Sequence, residues 1–176
     1  MKSFLVSSML NEQMIVSLLF DEQSKIHFTT LRQMYFPVAL NYLDAHLTLF
    51  HNIPDEPAIR KTLHEYSRIR SFEMLVSGLI HTGFGVAYKI ESTELIALHT
   101  RLSQQLQDVL IPQDRQKFKP HITVQNKVTP AQSKILYESL SASFEPSKIT
   151  AVGISLFEYK GGPWNHIEDY YFQTGN

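Results

Sequence analysis

Apolar positions along this chain form runs and stripes that come in the same order twice. The run QMIVSLLF (13–20), partly β-branched and bounded by polar residues, predicts a buried strand. A helix is expected next over 22–36, with Ile26, Leu31 and Met34 facing inward and Pro37 ending it. HLTLF (46–50) then alternates as a strand. Asp55 is placed to cap a helix with Pro57 in its first turn, and Ile59, Leu63 and Tyr66 at i, i+4 and i+7 give that helix one apolar face. SFEMLVSGLI (71–80) returns as a strand.

The second half repeats this order. FGVAYKI (84–90) reads as a strand, and Leu95, Leu98, Leu102, Leu106 and Val109 make the inward stripe of a long helix. HITVQ (121–125) is the next strand. Thr129 caps a further helix, with Pro130 at its first position, Gln132 completing a capping-box pattern, and Leu136, Leu140 and Phe144 on its core side. KITAVGISLFEY (148–159) and IEDYYFQ (167–173) are closing strands, joined across a turn around Gly161, Gly162 and Pro163.

Laid over one another at an offset of 75, the halves align His46 with His121, Thr48 with Thr123, Leu49 with Val124 and Ile53 with Val128. Two copies of this size are too few and too large for a solenoid, so a bilobal domain with a pseudo-two-fold axis is expected. The expectation is a single α+β domain over 1–176, with lobes from approximate repeats 13–80 and 84–158 and a closing strand at 164–173. Such an axis would bring the two equivalent strands together across one cleft.

Composition narrows the chemistry. A chain of 176 residues that is 43% hydrophobic and 19% charged is long enough to bury a core, and it argues against disorder. The formal net charge of −1 provides no global attraction to long nucleic acid or an acidic membrane, so any phosphate preference must be local. Having no cysteine removes disulfides, thiolate nucleophiles and cysteine-held metals together. The start MKSFLVSSMLNEQ lacks a small-residue cleavage pattern and reads as mature chain, and no stretch approaches the ~20 apolar residues of a membrane span. A cytoplasmic monomer is expected.

On a strand, alternate side chains share a face, so His46 and Thr48 point one way while Leu47 and Leu49 enter the core; His121 and Thr123 oppose Ile122 and Val124 alike. Two facing imidazoles suit displacement at phosphorus, where one ring takes a proton from the attacking oxygen and the other returns one to the leaving oxygen. Histidine serves both roles near neutrality. Each threonine hydroxyl would donate to a non-bridging phosphate oxygen.

A lone His-x-Thr is weak evidence of catalysis. Two copies at equivalent places are not, since a structural duplication has no need to keep a titratable ring and a hydroxyl on the second face. No metal or other cofactor is expected: ligand pairs on one strand favour His-x-His, and cysteine and clustered carboxylates are missing nearby. Asp44 reads as a surface residue near a turn. His27, His51, His64, His81, His99 and His166 have no counterpart in the other half and are assigned structural or solvated roles, His51 lying opposite His46 by strand alternation. Arg115, Lys117, Lys119 and Lys127, with no acidic residue between Arg115 and Lys127, form a basic approach to His121. Lys119 is the expected phosphate contact among them, and Phe118, Tyr159 and Trp164 are candidates to stack on a base.

With AHLTLF (45–50), FKPHITV (118–124) and a strand, turn, strand and long helix between them, the chain resembles the two-histidine phosphoesterase superfamily, which includes the 2′,5′ RNA ligase-like proteins and cyclic nucleotide phosphodiesterases. The resemblance spans about residues 13 to 173. It implies two antiparallel sheets facing a central groove with helices outside, metal-independent work on 2′,3′-cyclic phosphate or 2′–5′ linkages, and a catalytic set of His46, Thr48, His121 and Thr123. Two departures bear on the substrate clamp rather than on the chemistry. Asn126 stands where many relatives carry arginine, and HNIP (51–54) replaces a frequent FLG.

The expected function is therefore a phosphoesterase acting on a nucleotide or short RNA by paired-histidine acid–base catalysis. A non-catalytic nucleotide- or RNA-binding module using the same groove is the alternative.

Overall fold

Residues 13–174 are described by a computed structural model; the N-terminal stretch read as mature chain lies outside them. The chain runs β1 (Gln13–Phe20), α1 (Glu22–Tyr35), a short 3-10 turn (Val38–Leu40), β2 (Leu47–Pro54), α2 (Pro57–Tyr66), β3 (Phe72–His81), β4 (Val86–Glu91), α3 (Thr93–Gln105), β5 (His121–Gln125), α4 (Pro130–Ala142), β6 (Ser147–Tyr159) and β7 (Asn165–Tyr171). Strand, helix, strand, helix, strand thus occurs twice before β7. Pairing follows suit, with β1 beside β2 as β4 is beside β5, and β6 beside β1 as β3 is beside β4.

The α+β class and the antiparallel pairing hold, but the strands expected as two sheets are hydrogen-bonded into one seven-stranded sheet of order β2-β1-β6-β3-β4-β5, with β7 also on β6. The cause is the length of β6. Its 13 residues pair with β1 along one edge, while β3 and β7 share the other edge end to end. The two ends of this order, β2 and β5, approach each other closely, which curls the sheet around a shared face. The helices cross over in turn: α1 packs on β5, and α4 on β3.

Local rules account for most boundaries. Asp21 caps α1 by accepting from Ser24 N at 2.9 Å, and its second oxygen accepts from Thr150 N at 2.8 Å. The Thr129–Gln132 capping box opens α4 as expected, with Pro130 in its first turn. Leu95, Leu98 and Leu102 are buried on α3, although the helix stops at Gln105, leaving Leu106 as its cap and Val109 in the following turn.

Three expectations are corrected. On α1 the inward residues are Phe28 and Arg32, with Leu31 partly buried, while Ile26 and Met34 are 59% and 64% exposed. Phe28 sets that rotation by meeting Phe20 and Tyr88 edge-on at 6.3 and 5.2 Å. Asp55 does not cap α2. Glu56 occupies the cap without a side-chain bond, and Asp55 instead accepts from the Arg60 guanidinium at 2.8 and 2.9 Å. On α4 the buried residue is Ser133; Leu136, Leu140 and Phe144 are half-buried. This helix packs on β3 and β4, and Ser133 is buried with its hydroxyl against the Gly83 carbonyl at 2.9 Å and His81 Nε2 at 2.8 Å.

Gly85, leading into β4, allows β4 and β5 to meet closely. A Cβ there would lie 2.0 Å from the Gln125 carbonyl oxygen, at the end of the strand that carries His121 and Thr123. Because backbone would have to move, Gly85→Ala should cost about 2–3 kcal/mol of stability. Urea unfolding is the check, read as a lower midpoint at unchanged slope.

Candidate active site

β2 and β5 place the two His-x-Thr motifs on one cavity of about 220 Å³, lined by His46, Thr48, His121 and Thr123. His46 directly precedes β2, and His121 opens β5. In both motifs the ring nitrogen Nδ1 lies against the carbonyl two residues earlier: His46 with Asp44 O at 2.8 Å and His121 with Lys119 O at 2.7 Å. A carbonyl can only accept, so Nδ1 carries the hydrogen and donates it. This leaves Nε2 of each ring as the proton-exchanging atom. Neither threonine hydroxyl has a hydrogen-bond partner among the described residues, so both remain available to a ligand.

The two imidazoles differ in setting. His46 is half-buried and its ring meets Trp164 at 4.5 Å. Burial pushes its pKa down to about 4 against the helping bond to Asp44 O, and the positive charge of Arg32 and of the neighbouring His121 and His51 acts in the same direction as burial. His46 is therefore uncharged at neutral pH. His121 is exposed.

Arg32 joins the two motifs from beneath. Its Nε donates to Asn41 Oδ1 at 2.8 Å and to Leu43 O at 3.0 Å in the segment leading to His46, and Nη1 donates to Thr123 O at 3.1 Å. The guanidinium also sits 4.0 Å from the centroid of Phe36. Desolvation lowers its pKa to about 10, so it stays charged near neutrality. The one signal in the sequence is a cation one turn after Phe28, on the face the structure buries.

His51 overturns the alternation argument. Val16 pairs with Phe50 and Ser17 with Thr48, so Leu49 is an extra residue, a β-bulge within β2. Leu49 and Phe50 are both buried in consequence, and His51 lines the same cavity as His46 and Thr48. Two side chains from outside the sheet hold the bulge. Buried His99 donates from Nε2 to Leu49 O at 3.2 Å, its ring stacked between Phe118 (3.8 Å) and Phe50 (4.8 Å). Burial also lowers the pKa of His99, which favours this neutral donor. Asp114 accepts from the backbone N–H of His51 and of Asn52, and from His51 Nδ1 at 2.7 Å. Nothing in the chain pattern around Asp114 pointed to this role.

The other candidates divide between two cavities. Lys119 and Phe118 line the one shared by the four motif residues. Trp164 lines a second cavity of about 260 Å³ on the other side of His46, together with Lys25, Tyr42, Ser155 and Phe157. Tyr159 lies at the end of β6, 38% exposed, and lines neither. Asp44 is exposed, with Lys25 at 3.8 Å. Of the basic run, Lys117 lines the first cavity, whereas Arg115 is tied to the Leu110 and Gln107 carbonyls and Lys127 takes a left-handed turn (φ 60°). Among the described residues no group of three or more His, Cys, Asp or Glu is placed to hold a metal ion, and no helix is long and apolar enough to cross a membrane.

Residues 20–163 match the family model of the 2′-5′ RNA ligase superfamily. Among solved structures, TT0787 of Thermus thermophilus is similar at a TM-score of 0.63 and 16% identity, covering 93% of this chain and 100% of that one. E. coli LigT complexed with 3′-AMP is similar at 0.59 and 16%, over 92% and 98% of the two chains, and LigT complexed with NADP+ at 0.56 and 15% over the same shares. At these identities the likeness is one of fold. No curated protein sequence matches the chain.

Proposed function

The chain belongs to the 2′-5′ RNA ligase superfamily, and on that footing we propose that it is a metal-independent phosphoesterase acting on 2′,3′-cyclic phosphate or 2′–5′ linkages of nucleotides or short RNA. The observation that carries this reading is the pair of Nδ1-anchored histidines on one cavity, each beside a free threonine hydroxyl. That E. coli LigT was crystallised with 3′-AMP, a nucleotide with its phosphate on the 3′ oxygen, is in keeping with a product of cyclic-phosphate opening. We read the repeated element order as one bilobal domain whose lobes contribute one motif each.

In the proposed reaction a water oxygen attacks phosphorus while His46 Nε2 accepts one of its protons. The bond from phosphorus to the 2′ or 3′ oxygen breaks, and His121, entering with its proton on Nε2, returns that proton to the leaving oxygen. Thr48 and Thr123 donate to the non-bridging oxygens, where charge grows in the transition state. His46 is assigned as base because its surroundings keep it uncharged. Trp164, in the cavity next to His46, is the candidate to carry the base, with Phe118 and Lys119 on the His121 side.

The test is a panel of 2′,3′-cyclic, 1″,2″-cyclic and 2′–5′-linked compounds incubated in EDTA with the product isomers identified. Turnover that persists in chelator is expected. The pH dependence follows from His46: the base is lost only when the ring takes up a proton, so kcat/KM should hold through mildly acidic pH and fall as pH drops through about 4. An acid limb near the ordinary histidine value of about 6.5 would take the role of base away from His46.

A further inference from the structure

We infer that His51, held by buried Asp114, is a second phosphate-binding residue, which selects substrates carrying a further phosphoryl group on the 5′ side of the nucleotide that bears the scissile phosphate. This rests on the reading of the shared cavity as a phosphoester site. Three features of that cavity converge on it. The bulge at Leu49 turns His51 onto the wall that holds His46 and Thr48, where regular alternation would have pointed it away. Asp114 takes the Nδ1 hydrogen at 2.7 Å, which orients Nε2 away from the carboxylate and leaves it without a partner among the described residues. The Asp114 side chain is 1% exposed whereas that of His51 is 48% exposed, so the pair is anchored at one end and open at the other. Such an imidazole, backed by a carboxylate, is a directed donor for a phosphate oxygen once protonated.

Charge points the same way. His46, His51, His121, Lys117 and Lys119 line this cavity, and among the described residues its sole carboxylate is Asp114. Asp114 is already engaged by His51 Nδ1 and two backbone N–H groups. Neither Lys117 nor Lys119 has an ion-pair partner among the described residues. The scissile phosphate is provided for by the two His-x-Thr motifs, which leaves His51 and these ammonium groups for a second anion. A histidine whose only task was structural would not need Nε2 open to the cavity; His99, which serves the same bulge, has its Nε2 bonded and its ring covered on both faces.

The experiment is calorimetric binding of three probes that need no turnover: adenosine 3′-monophosphate, adenosine 3′,5′-bisphosphate, and the dinucleotide ApAp, whose phosphate on the 5′ side is an internal diester. The wild-type protein is expected to bind one or both of the latter at least 10-fold more tightly than the monophosphate. That preference should fall to about 1 in His51→Ala and in His51→Gln, and shrink in Asp114→Asn. The glutamine variant keeps a polar side chain of similar size should alanine disturb the bulge. Which of the two probes gains affinity tells a terminal monoester from an internal diester. No preference in the wild type, or the same preference in both His51 variants, would overturn the inference. A failure of the cyclic-phosphate panel with the His51-dependent preference intact would instead count against the proposed reaction alone.

Discussion

His46→Ala and His121→Ala are each expected to lower kcat on a 2′,3′-cyclic nucleotide by about 10²–10⁴-fold, the usual range for a positioned general acid or base. The loss should fall mainly on kcat, because in the proposed reaction both rings exchange protons in the transition state, whereas the proposed ground-state contacts from the threonines and lysines remain. The double variant should fall little further than either single one, since a base without an acid leaves the same uncatalysed departure of the leaving oxygen. Stability should change little: His121 is exposed and His46 half-buried, and their Nδ1 bonds are to carbonyls that water can reach. Initial rates with a circular-dichroism comparison settle the matter. A single variant keeping a tenth of the wild-type rate would sink the paired mechanism and favour a nucleotide-binding module.

Arg32→Met should damage both stability and catalysis. The side chain is 5% exposed and its guanidinium satisfies three acceptors, Asn41 Oδ1, Leu43 O and Thr123 O. Methionine fills the space but donates nothing, leaving acceptors unpaired in a confined setting, at a cost of about 3 kcal/mol. For a chain of this size that is roughly 6–12 °C of melting temperature. Arg32→Lys should not restore it, because one ammonium cannot reproduce a planar fork reaching two segments.

The effect on rate follows from the same bonds. Arg32 couples the approach to His46 with the backbone of Thr123, so its loss lets the motifs drift, and a displacement of an ångström can cost about 10²-fold. A merely destabilised protein would regain its rate on cooling or with stabilising osmolyte. There is a further signature in the pH profile. Arg32 is one of the causes holding the His46 pKa down, so in Arg32→Met that pKa rises and the acid limb of kcat/KM moves to higher pH. An unmoved limb with unchanged kcat would reduce Arg32 to a structural tie.

The paired histidines were legible in the chain because each motif obeys a local rule. Period-two alternation assigns Leu47 and Ile122 to the core and the imidazoles to the other face, whatever surrounds the strand, and both apolar residues are fully buried. Repetition at an offset of 75 then singled out His46 and His121 from the eight histidines present. Most strands and helices were legible for the same reason, as was the capping box at Thr129. Where a competing interaction won, the reading failed. Asp55 found Arg60 rather than a helix terminus, and α1 turned on Phe28 rather than on Ile26 and Met34.

The residues around the histidines lay beyond any window along the chain. Asp114 is separated from His51 by 63 positions, and Arg32 from Thr123 by 91. One inserted residue at Leu49 was enough to reverse which face His51 occupies, and its cause lies partly in His99 and Asp114, which reach β2 from α3 and the loop after it.

By itself the amino-acid sequence determined the elements, the twofold order in which they come and the four side chains that carry the proposed chemistry, because these depend on hydrophobic period and on neighbours a few residues away. Tertiary structure alone decided that the strands join through a long β6 into one curled sheet, that Arg32 ties one motif to the other, and that His51 faces the cavity on Asp114. Those outcomes depend on which distant groups meet when the sheet closes, where a buried donor must find an acceptor regardless of its distance along the chain.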